Sequence, residues 1–248
     1  MHSLERLIVI IVLLGASAST LGQPLQIVDN LPGTFIDISL TGGTPLNLLN
    51  DDEILLGTTV GNVVFPSGGM IVANNGGLAF RNPADINLAP LNEPIPSNNA
   101  FGGGQAAMAF WDDIDDKVGN VFFAPLISTP IHGNGMIIQW NNRNFFGASP
   151  LETATFQIQI FENGGPDGIV AQYLFQDIEQ PRPGGGISAT IGYQDGGAGF
   201  GDVQWSFDTS GAVANGTVLS LVIPEPGTLT LLALGGLFVL RRQRSSKT

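Results

Sequence analysis

The chain has 248 residues, among them 34 Gly, 16 Pro and no Cys, and only 12% of the residues are charged. This composition argues against a helix bundle, which draws on Ala, Leu, Glu, Lys and Arg, and it rules out a disulfide framework. Between residues 24 and 223, nineteen acidic side chains stand against four basic ones, a net charge of −15. Because so acidic a body repels phosphate, no nucleic-acid partner is expected.

The first segment has the layout of a secretory signal peptide. An unbroken apolar run, Leu7–Leu14, follows Arg6, and the small residues Gly15–Ala18 come next. This order predicts a signal peptide over residues 1–22, removed by signal peptidase after Ala18 or a few residues later. The apolar run is shorter than the roughly 20 residues that span a bilayer. The alternative, a first core strand, stays open.

Short runs rich in β-forming residues, separated by turn residues, fill the body at 23–223. Thr155–Phe161 alternates, with its Phe and Ile side chains on one face and Gln157 and Gln159 on the other. The pattern predicts an all-β fold, an antiparallel β-sandwich of many short strands, flanked by the signal-peptide helix and a short C-terminal transmembrane helix. The predicted strands are Glu53–Thr59, Val63–Phe65, Met70–Ala73, Leu78–Phe80, Ala106–Trp111, Val121–Ala124, Met136–Trp140, Thr153–Glu162, Ile169–Phe175, Ile187–Tyr193, Val203–Phe207 and Thr217–Val222.

Two further features of the body lead to structural predictions. Arg81–Gly104 is rich in Asn and Pro and is predicted to be a long loop, either functional or mobile. Trp111, Trp140 and Trp205 could form a platform for stacking sugar rings, but their apolar neighbours favour a place in the core. We therefore expect all three indoles to be buried.

The segment Asp112–Asp116 places four carboxylates within five residues, directly after a predicted strand. The first interpretation is a solvated turn whose Asp side chains cap backbone N–H groups, with Lys117 neutralising part of the charge. The alternative is a Ca²⁺ site with Asp113, Asp115 and Asp116 as ligands, because Ca²⁺ prefers such hard oxygen ligands. The spacing lacks the Gly and the distal Glu of an EF-hand loop. No other cofactor is expected.

The C-terminus, residues 224–248, combines a Pro-Glu-Pro motif, an apolar helix predicted over 228–240 and a basic tail. A helix over residues 227–240 is only about 21 Å long, against a hydrocarbon layer of about 30 Å. Such a helix suits a transient membrane anchor better than a permanent one, with the basic tail on the cytoplasmic side. A plain single-pass anchor is the alternative. The residues predicted to carry the function are Pro224, Glu225, Pro226, Arg241 and Arg242.

This C-terminal arrangement resembles the PEP-CTERM sorting signal of Gram-negative bacteria over residues 223–244. The resemblance implies that an exosortase, a membrane protease, processes the chain near Pro224–Pro226. It also implies passage through the inner membrane and delivery to the cell surface or to the extracellular polysaccharide.

The body carries a second resemblance, to nidogen-like (NIDO) extracellular domains, over about residues 54–210. It rests on several short segments in the family's order. They are Val72–Phe80, Met108–Asp115, Gly119–Phe123, Ile138–Asn142, Thr155–Gly164 with Ile169–Tyr173, and Ala189–Gly196. The resemblance implies an adhesive or matrix-associated extracellular module without known catalysis.

Few residues of the body suit an active site. Once His2 leaves with the signal peptide, His132 is the single histidine, and with no Cys it cannot complete a usual zinc set. No Gly-x-Ser-x-Gly elbow supports a serine nucleophile. We expect a non-catalytic protein whose further partners are extracellular polysaccharide or other surface proteins. The alternative is a secreted carbohydrate-binding protein or glycoside hydrolase, since nineteen acids always offer a pair of carboxylates.

Overall fold

The structure, a computed structural model, describes residues 24–29, 31–57, 61–81, 83, 85–129, 133–149, 151–162, 164, 168–178 and 188–224. Thirteen strands and one short 3-10 helix, Phe101–Gly103, make up the regular structure of this part of the chain. The strands are β1 (Gln26–Asp29), β2 (Thr44–Pro45), β3 (Glu53–Leu56), β4 (Met70–Ala73), β5 (Gly77–Phe80), β6 (Ala106–Trp111), β7 (Asn120–Thr129), β8 (Gly133–Asn144), β9 (Thr153–Phe161), β10 (Ile169–Asp177), β11 (Thr190–Gln194), β12 (Val203–Phe207) and β13 (Val218–Val222).

The strands form two antiparallel sheets, as the sequence predicts. Sheet A has seven strands in the order β1-β13-β10-β9-β8-β7-β2, and sheet B has six in the order β12-β11-β6-β5-β4-β3. Within the described residues, no helix is long and apolar enough to cross a membrane. Both terminal helices of the prediction, within 1–22 and at 228–240, lie outside those residues.

The core between the sheets follows the alternation of β9. Phe156, Ile158 and Ile160 all point into it and are fully buried. Trp140 stacks on Phe156 at a ring-centroid distance of 5.0 Å, and its Nε1 donates to the Ala73 carbonyl of sheet B (3.1 Å). Its burial was predicted, and the hydrogen bond links the two sheets.

The outer face of sheet A is covered by residues 31–43, which we call the strap. The strap joins β1 at one edge of sheet A to β2 at the other, and neither strand is predicted from the sequence. A row of buried glutamines on β8, β9 and β10 binds its backbone. Ile38 N–H donates to Gln139 Oε1 (2.9 Å), while the Nε2 atoms of Gln157, Gln159 and Gln172 donate to the carbonyls of Ile36 (3.2 Å), Thr34 (2.9 Å) and Pro32 (2.9 Å).

The predicted loop Arg81–Gly104 covers the outer face of sheet B. Its Leu88 and Phe101 are fully buried in an apolar cluster with Trp111, whose burial was also predicted. Side-chain amides again bind the backbone of the covering segment. The Ser97 N–H donates to Gln194 Oε1 (2.6 Å), and the Ile95 N–H donates to Gln204 Oε1 (2.7 Å). The two coverings explain why most strand residues are buried on both faces.

The predicted strand Val63–Phe65 is not a strand, although Val64 and Phe65 are fully buried. The side chain of Asn62 takes the place of a strand partner. Its Oδ1 accepts the N–H groups of Val64 and Phe65, both at 2.9 Å, and its Nδ2 donates to the Phe161 carbonyl (2.9 Å). The hydrogen bonds of Asn62 therefore hold the segment in place, with Val64 and Phe65 packed in the core.

The expectation of a buried Trp205 is wrong, because this residue is 36% exposed on edge strand β12. Ile191 of β11 pairs with Ser206, but the next residue, Gly192, pairs with Gln204, so Trp205 is an extra residue at a β-bulge. A bulge breaks the alternation of faces and redirects the side chain. The strand prediction, Val203–Phe207, is correct in its bounds.

Candidate functional site

The predicted acidic turn lies where the two sheets meet. The acidic loop, residues 112–116, leaves sheet B at the end of β6, as predicted. The Ile114 N–H donates to Asn75 Oδ1 in the turn after β4 (3.0 Å), and the Asp115 N–H donates to the Asn144 carbonyl of β8 (2.7 Å). Two hydrogen bonds to different sheets therefore fix the loop in place.

The buried carboxylates of the acidic loop have protein partners. Asp112 accepts a hydrogen bond from Ser188 Oγ (2.6 Å). Asp115 accepts one from the Asp116 N–H (2.7 Å) and forms an ion pair with Lys117. Burial alone would raise the pKa of Asp115, but the bonds from Lys117 and Asp116 outweigh it and hold that pKa below its ordinary value. The loop thus holds charge that the protein itself neutralises in part.

A buried arginine that the sequence analysis missed lies beneath the loop. Arg143 of β8 is 2% exposed; one guanidinium nitrogen donates to the Leu48 carbonyl (3.2 Å) and to Asn74 Oδ1. Burial lowers the pKa of Arg143, and the charges of Asp116 and Asp115 oppose that shift. The loop acids therefore stabilise a buried cation. The available signal was that Arg143 is one of only four basic residues in the body.

A second group of acids lies at the start of β3. The half-buried carboxylate of Glu53 accepts a hydrogen bond from the Leu88 N–H of the sheet B covering (3.0 Å). The pKa of Glu53 is raised to about 7, mainly by burial and also by the charges of Asp52, Asp51 and Asp85, while the Leu88 bond acts in the opposite direction. This carboxyl titrates near neutral pH.

Asn75 connects the two acidic groups. Its Nδ2 donates to Asp51 Oδ1 (3.0 Å) and to the Leu88 carbonyl (3.1 Å), while its Oδ1 accepts the Ile114 N–H of the acidic loop. One end of the sandwich, the acidic end, therefore gathers the loop acids with those around Glu53.

The arrangement of these acids bears on the calcium prediction. Asp113, Asp115 and Asp116 supply hard oxygen atoms of the kind that Ca²⁺ takes. Asp115, however, is engaged by Lys117. In the part of the chain that the structure describes, no three His, Asp or Glu side chains converge as a metal-binding group. Calcium binding stays a prediction.

The sorting junction lies at the opposite end of the sandwich. β13 ends at Val222; the next residue, Ile223, still donates its N–H to the Gly168 carbonyl (2.9 Å), and Pro224 follows at once. Of the predicted sorting residues, Pro224 is described, while Glu225, Pro226, Arg241 and Arg242 lie outside the described residues. The Pro-Glu-Pro motif therefore begins two residues after the last strand.

Strand pairing separates the two ends. Val222 pairs with Ile169 at the start of β10, whereas Asp177 at its other end pairs with Thr155, next to the strand ends that hold the acidic loop. A nine-residue strand is about 26 Å long. The sorting junction and the acidic loop therefore lie at opposite ends of the sandwich.

Two models of known families match the chain. A family model described as NIDO related matches residues 28–227, and a model of the PEP-CTERM protein-sorting motif matches residues 222–245. No curated protein and no solved structure gave a significant match.

The fold and the junction define an exported all-β module that carries a C-terminal sorting signal. The NIDO-related match spans most of the chain, and the chain therefore belongs to the NIDO-related family. The matched region extends beyond the predicted resemblance at 54–210 and reaches from β1 to the sorting junction. The PEP-CTERM motif implies passage through a membrane and processing by an exosortase, which confirms the predicted protease partner.

Proposed function

We propose that this protein is a non-catalytic structural or adhesive component of the bacterial cell surface or extracellular matrix. In this proposal a signal peptide directs export, the C-terminal helix holds the chain in the inner membrane, and cleavage near Pro224–Pro226 releases the sandwich. The observation that carries it is the direct junction between a NIDO-related body and a PEP-CTERM motif, with the single residue Ile223 between β13 and Pro224.

The construction of the body supports a structural role. Sheet A is covered by the strap and sheet B by the loop Arg81–Gly104, so most residues of the central strands are buried on both faces. The strap's flanking strands, β1 and β2, are the edge strands of sheet A and are only four and two residues long. Covered faces and short edge strands limit uncontrolled strand pairing, a useful property for a protein concentrated in a matrix without disulfides.

The open cleft at one edge of the sandwich supports the proposal that the protein is not a hydrolase. The residues that line this cleft, all within the described part of the chain, include one carboxylate, Asp29. Glycoside hydrolysis ordinarily uses two carboxylates on either side of the scissile bond.

Replacement of the sorting motif tests the proposal. The full chain would be expressed in a Gram-negative host that has an exosortase, alongside a variant with Pro224, Glu225 and Pro226 changed to Ala. We expect the unchanged chain at the surface or in the medium, with an intact mass that lacks 229–240, and the variant in the inner membrane.

The matched control changes Ser245, Ser246 and Lys247 to Ala, an equal number of residues beyond the basic cluster; we expect normal release. Retention of the unchanged chain in the cytoplasm would refute the proposal. So would release of reducing sugar from polysaccharide incubated with the purified protein, since that would make it a hydrolase.

A further inference from the structure

An open cleft of about 410 Å³ lies at one lateral edge of the sandwich, where edge strand β12 of sheet B faces β1 and β13 of sheet A. The end of β1, the start of the strap, Trp205 and residues 211–214 and 216–218 line it. Its volume falls within the roughly 300–1,000 Å³ typical of small-ligand sites.

Trp205 is placed in this cleft by a local irregularity of the sheet. The residue is the extra one at the β-bulge of β12, which turns its side chain out of the regular alternation. Gly192 lies opposite the bulge, where a Cβ atom would come within 2.5 Å of the Val203 carbonyl oxygen. The close approach at the bulge therefore requires a glycine at position 192. The bulge in turn exposes the indole of Trp205.

The indole is also held in position. Its Nε1 donates to the Ala212 carbonyl (3.0 Å), so the polar atom is satisfied within the protein while the residue remains 36% exposed. Trp111 and Trp140 are fully buried, so Trp205 is the exposed indole among the protein's three tryptophans.

The loop that forms one wall is preorganised. The Gly216 N–H donates to the Phe175 carbonyl (2.7 Å), and Asn215 Oδ1 accepts the Ile178 N–H (2.9 Å), so the loop is fixed to β10 and the residue after it. Thr217 Oγ1 accepts the Ala214 N–H within the loop (2.9 Å). A ligand that binds here orders little of the protein, which reduces the entropic cost of binding.

The other wall is formed by β1 and the strap. Pro32 is fixed by Gln172, whose Nε2 donates to its carbonyl (2.9 Å). At Gly33 an added Cβ would lie 2.8 Å from a methyl of Val218, so only glycine lets the strap lie this close to sheet A. Asp29 adds an exposed carboxylate, an acceptor for hydroxyl groups.

We propose that this cleft binds a neutral polysaccharide, with a sugar ring stacked on Trp205 and its hydroxyl groups donating to Asp29. An aromatic ring offers an apolar face to the C–H groups of a pyranose, and a carboxylate accepts from its hydroxyls. The net charge of −15 on residues 24–223 opposes acidic polysaccharides, which favours a neutral chain. The inference names a partner for the proposed matrix role and rests on that role.

Tryptophan fluorescence of the full chain tests the inference. The protein would be purified in a polyoxyethylene detergent, whose head group carries no sugar, and titrated separately with dextran, mannan, xylan and alginate. We expect at least one neutral polysaccharide to shift the emission and to protect one tryptophan per chain from N-bromosuccinimide. We expect alginate, which is anionic, to do neither.

Three variants assign the effect to the cleft. Trp205→Ala should weaken binding at least tenfold in affinity electrophoresis, and Trp205→Phe should retain part of it. Phe146→Ala is the control, because it removes another exposed aromatic, at the acidic end; its binding should be unchanged. Unaltered binding by folded Trp205→Ala, binding of alginate, or no response to any neutral polysaccharide would overturn the inference.

The outcome is independent of the sorting experiment. If the chain is released at the surface but binds no polysaccharide, the cleft proposal is refuted and the proposed surface role stands. A chain that binds polysaccharide in solution but stays in the cytoplasm does the reverse.

Discussion

The side chain of Gln157 pairs with the backbone of Ile36 as a neighbouring strand would. The Gln157 Nε2 donates to the Ile36 carbonyl (3.2 Å), and its Oε1 accepts the Ile36 N–H (3.4 Å). The same chemistry recurs along the strap, where alternate residues bind successive glutamines. The strap crosses the strands of sheet A and so cannot pair with them as a further strand. The row of glutamine side chains on the outer face of the sheet supplies the hydrogen bonds that its backbone needs.

We expect Gln157→Ala to destabilise the protein by about 1–3 kcal/mol, because it removes the partner of both backbone groups of the partly buried Ile36. Gln176→Ala is the matched control: Gln176 is exposed on β10, and its loss should cost about 0.5 kcal/mol or less. Urea unfolding of both variants measures the difference. Equal stabilities would show that the glutamine row does not hold the strap.

The tryptophans should differ in their contribution to stability. Trp140→Ala removes a fully buried ring stacked on Phe156 and is expected to cost about 3–5 kcal/mol. Trp205→Ala, at an exposed position on an edge strand, should cost about 1 kcal/mol or less. Thermal unfolding followed by circular dichroism distinguishes them. A loss at Trp205 as large as that at Trp140 would contradict its placement at the surface.

The sequence predicted those strands whose pattern is local. β4, β6 and β12 appear within their predicted bounds, because short runs of apolar and β-branched residues end there at turn residues. The acidic loop likewise follows β6 as predicted. Local alternation also placed the Phe and Ile side chains of β9 in the core.

The coverings of the sheets could not be predicted in this way. Gln139 and Ile38 are 101 residues apart in the sequence, and a glutamine on the outer face of a strand looks the same whether water or a strap covers it. The position of Trp205 depends on a bulge and on its edge strand, which are properties of the assembled sheet. The burial of Arg143 under the acidic loop is a tertiary feature of the same kind.

Glu53 should make the stability depend on pH. Its pKa in the folded protein is about 7, against 4.5 for an ordinary Glu. Its contribution to stability is therefore present below pH 4.5 and is lost as the pH rises through 7. A shift of this size would amount to about 3 kcal/mol for a fully buried group, and solvent screening at the half-buried Glu53 reduces it to about 1 kcal/mol.

The variant Glu53→Gln keeps an acceptor for the Leu88 N–H but cannot ionise. We expect it to match the unchanged protein near pH 4.5 and to be more stable by about 1 kcal/mol at pH 8. Glu152→Gln, on the loop before β9, is the control. Urea unfolding between pH 4.5 and 8 measures both variants. Parallel curves for the unchanged protein and Glu53→Gln would refute the assignment to Glu53.

The last prediction decides between the two interpretations of the acidic loop. Lys117 is paired with Asp115, and the buried guanidinium of Arg143 lies under the influence of Asp115 and Asp116. Because these two cations offset part of the repulsion among the carboxylates of the acidic loop, we expect the protein to fold without a metal. The melting midpoint of the full chain should then be the same in chelator and in millimolar Ca²⁺.

A calcium site would give the opposite result. A cation that binds only the folded state raises the midpoint in proportion to the logarithm of its free concentration. The double change Asp113→Ala with Asp115→Ala should then abolish the rise, while Asp208→Ala, at an exposed Asp on the turn after β12, should leave it intact. Mg²⁺ at the same concentration separates specific coordination from general screening of the −15 charge. A rise with Ca²⁺ alone that the double change removes would establish the metal site and overturn the solvated turn.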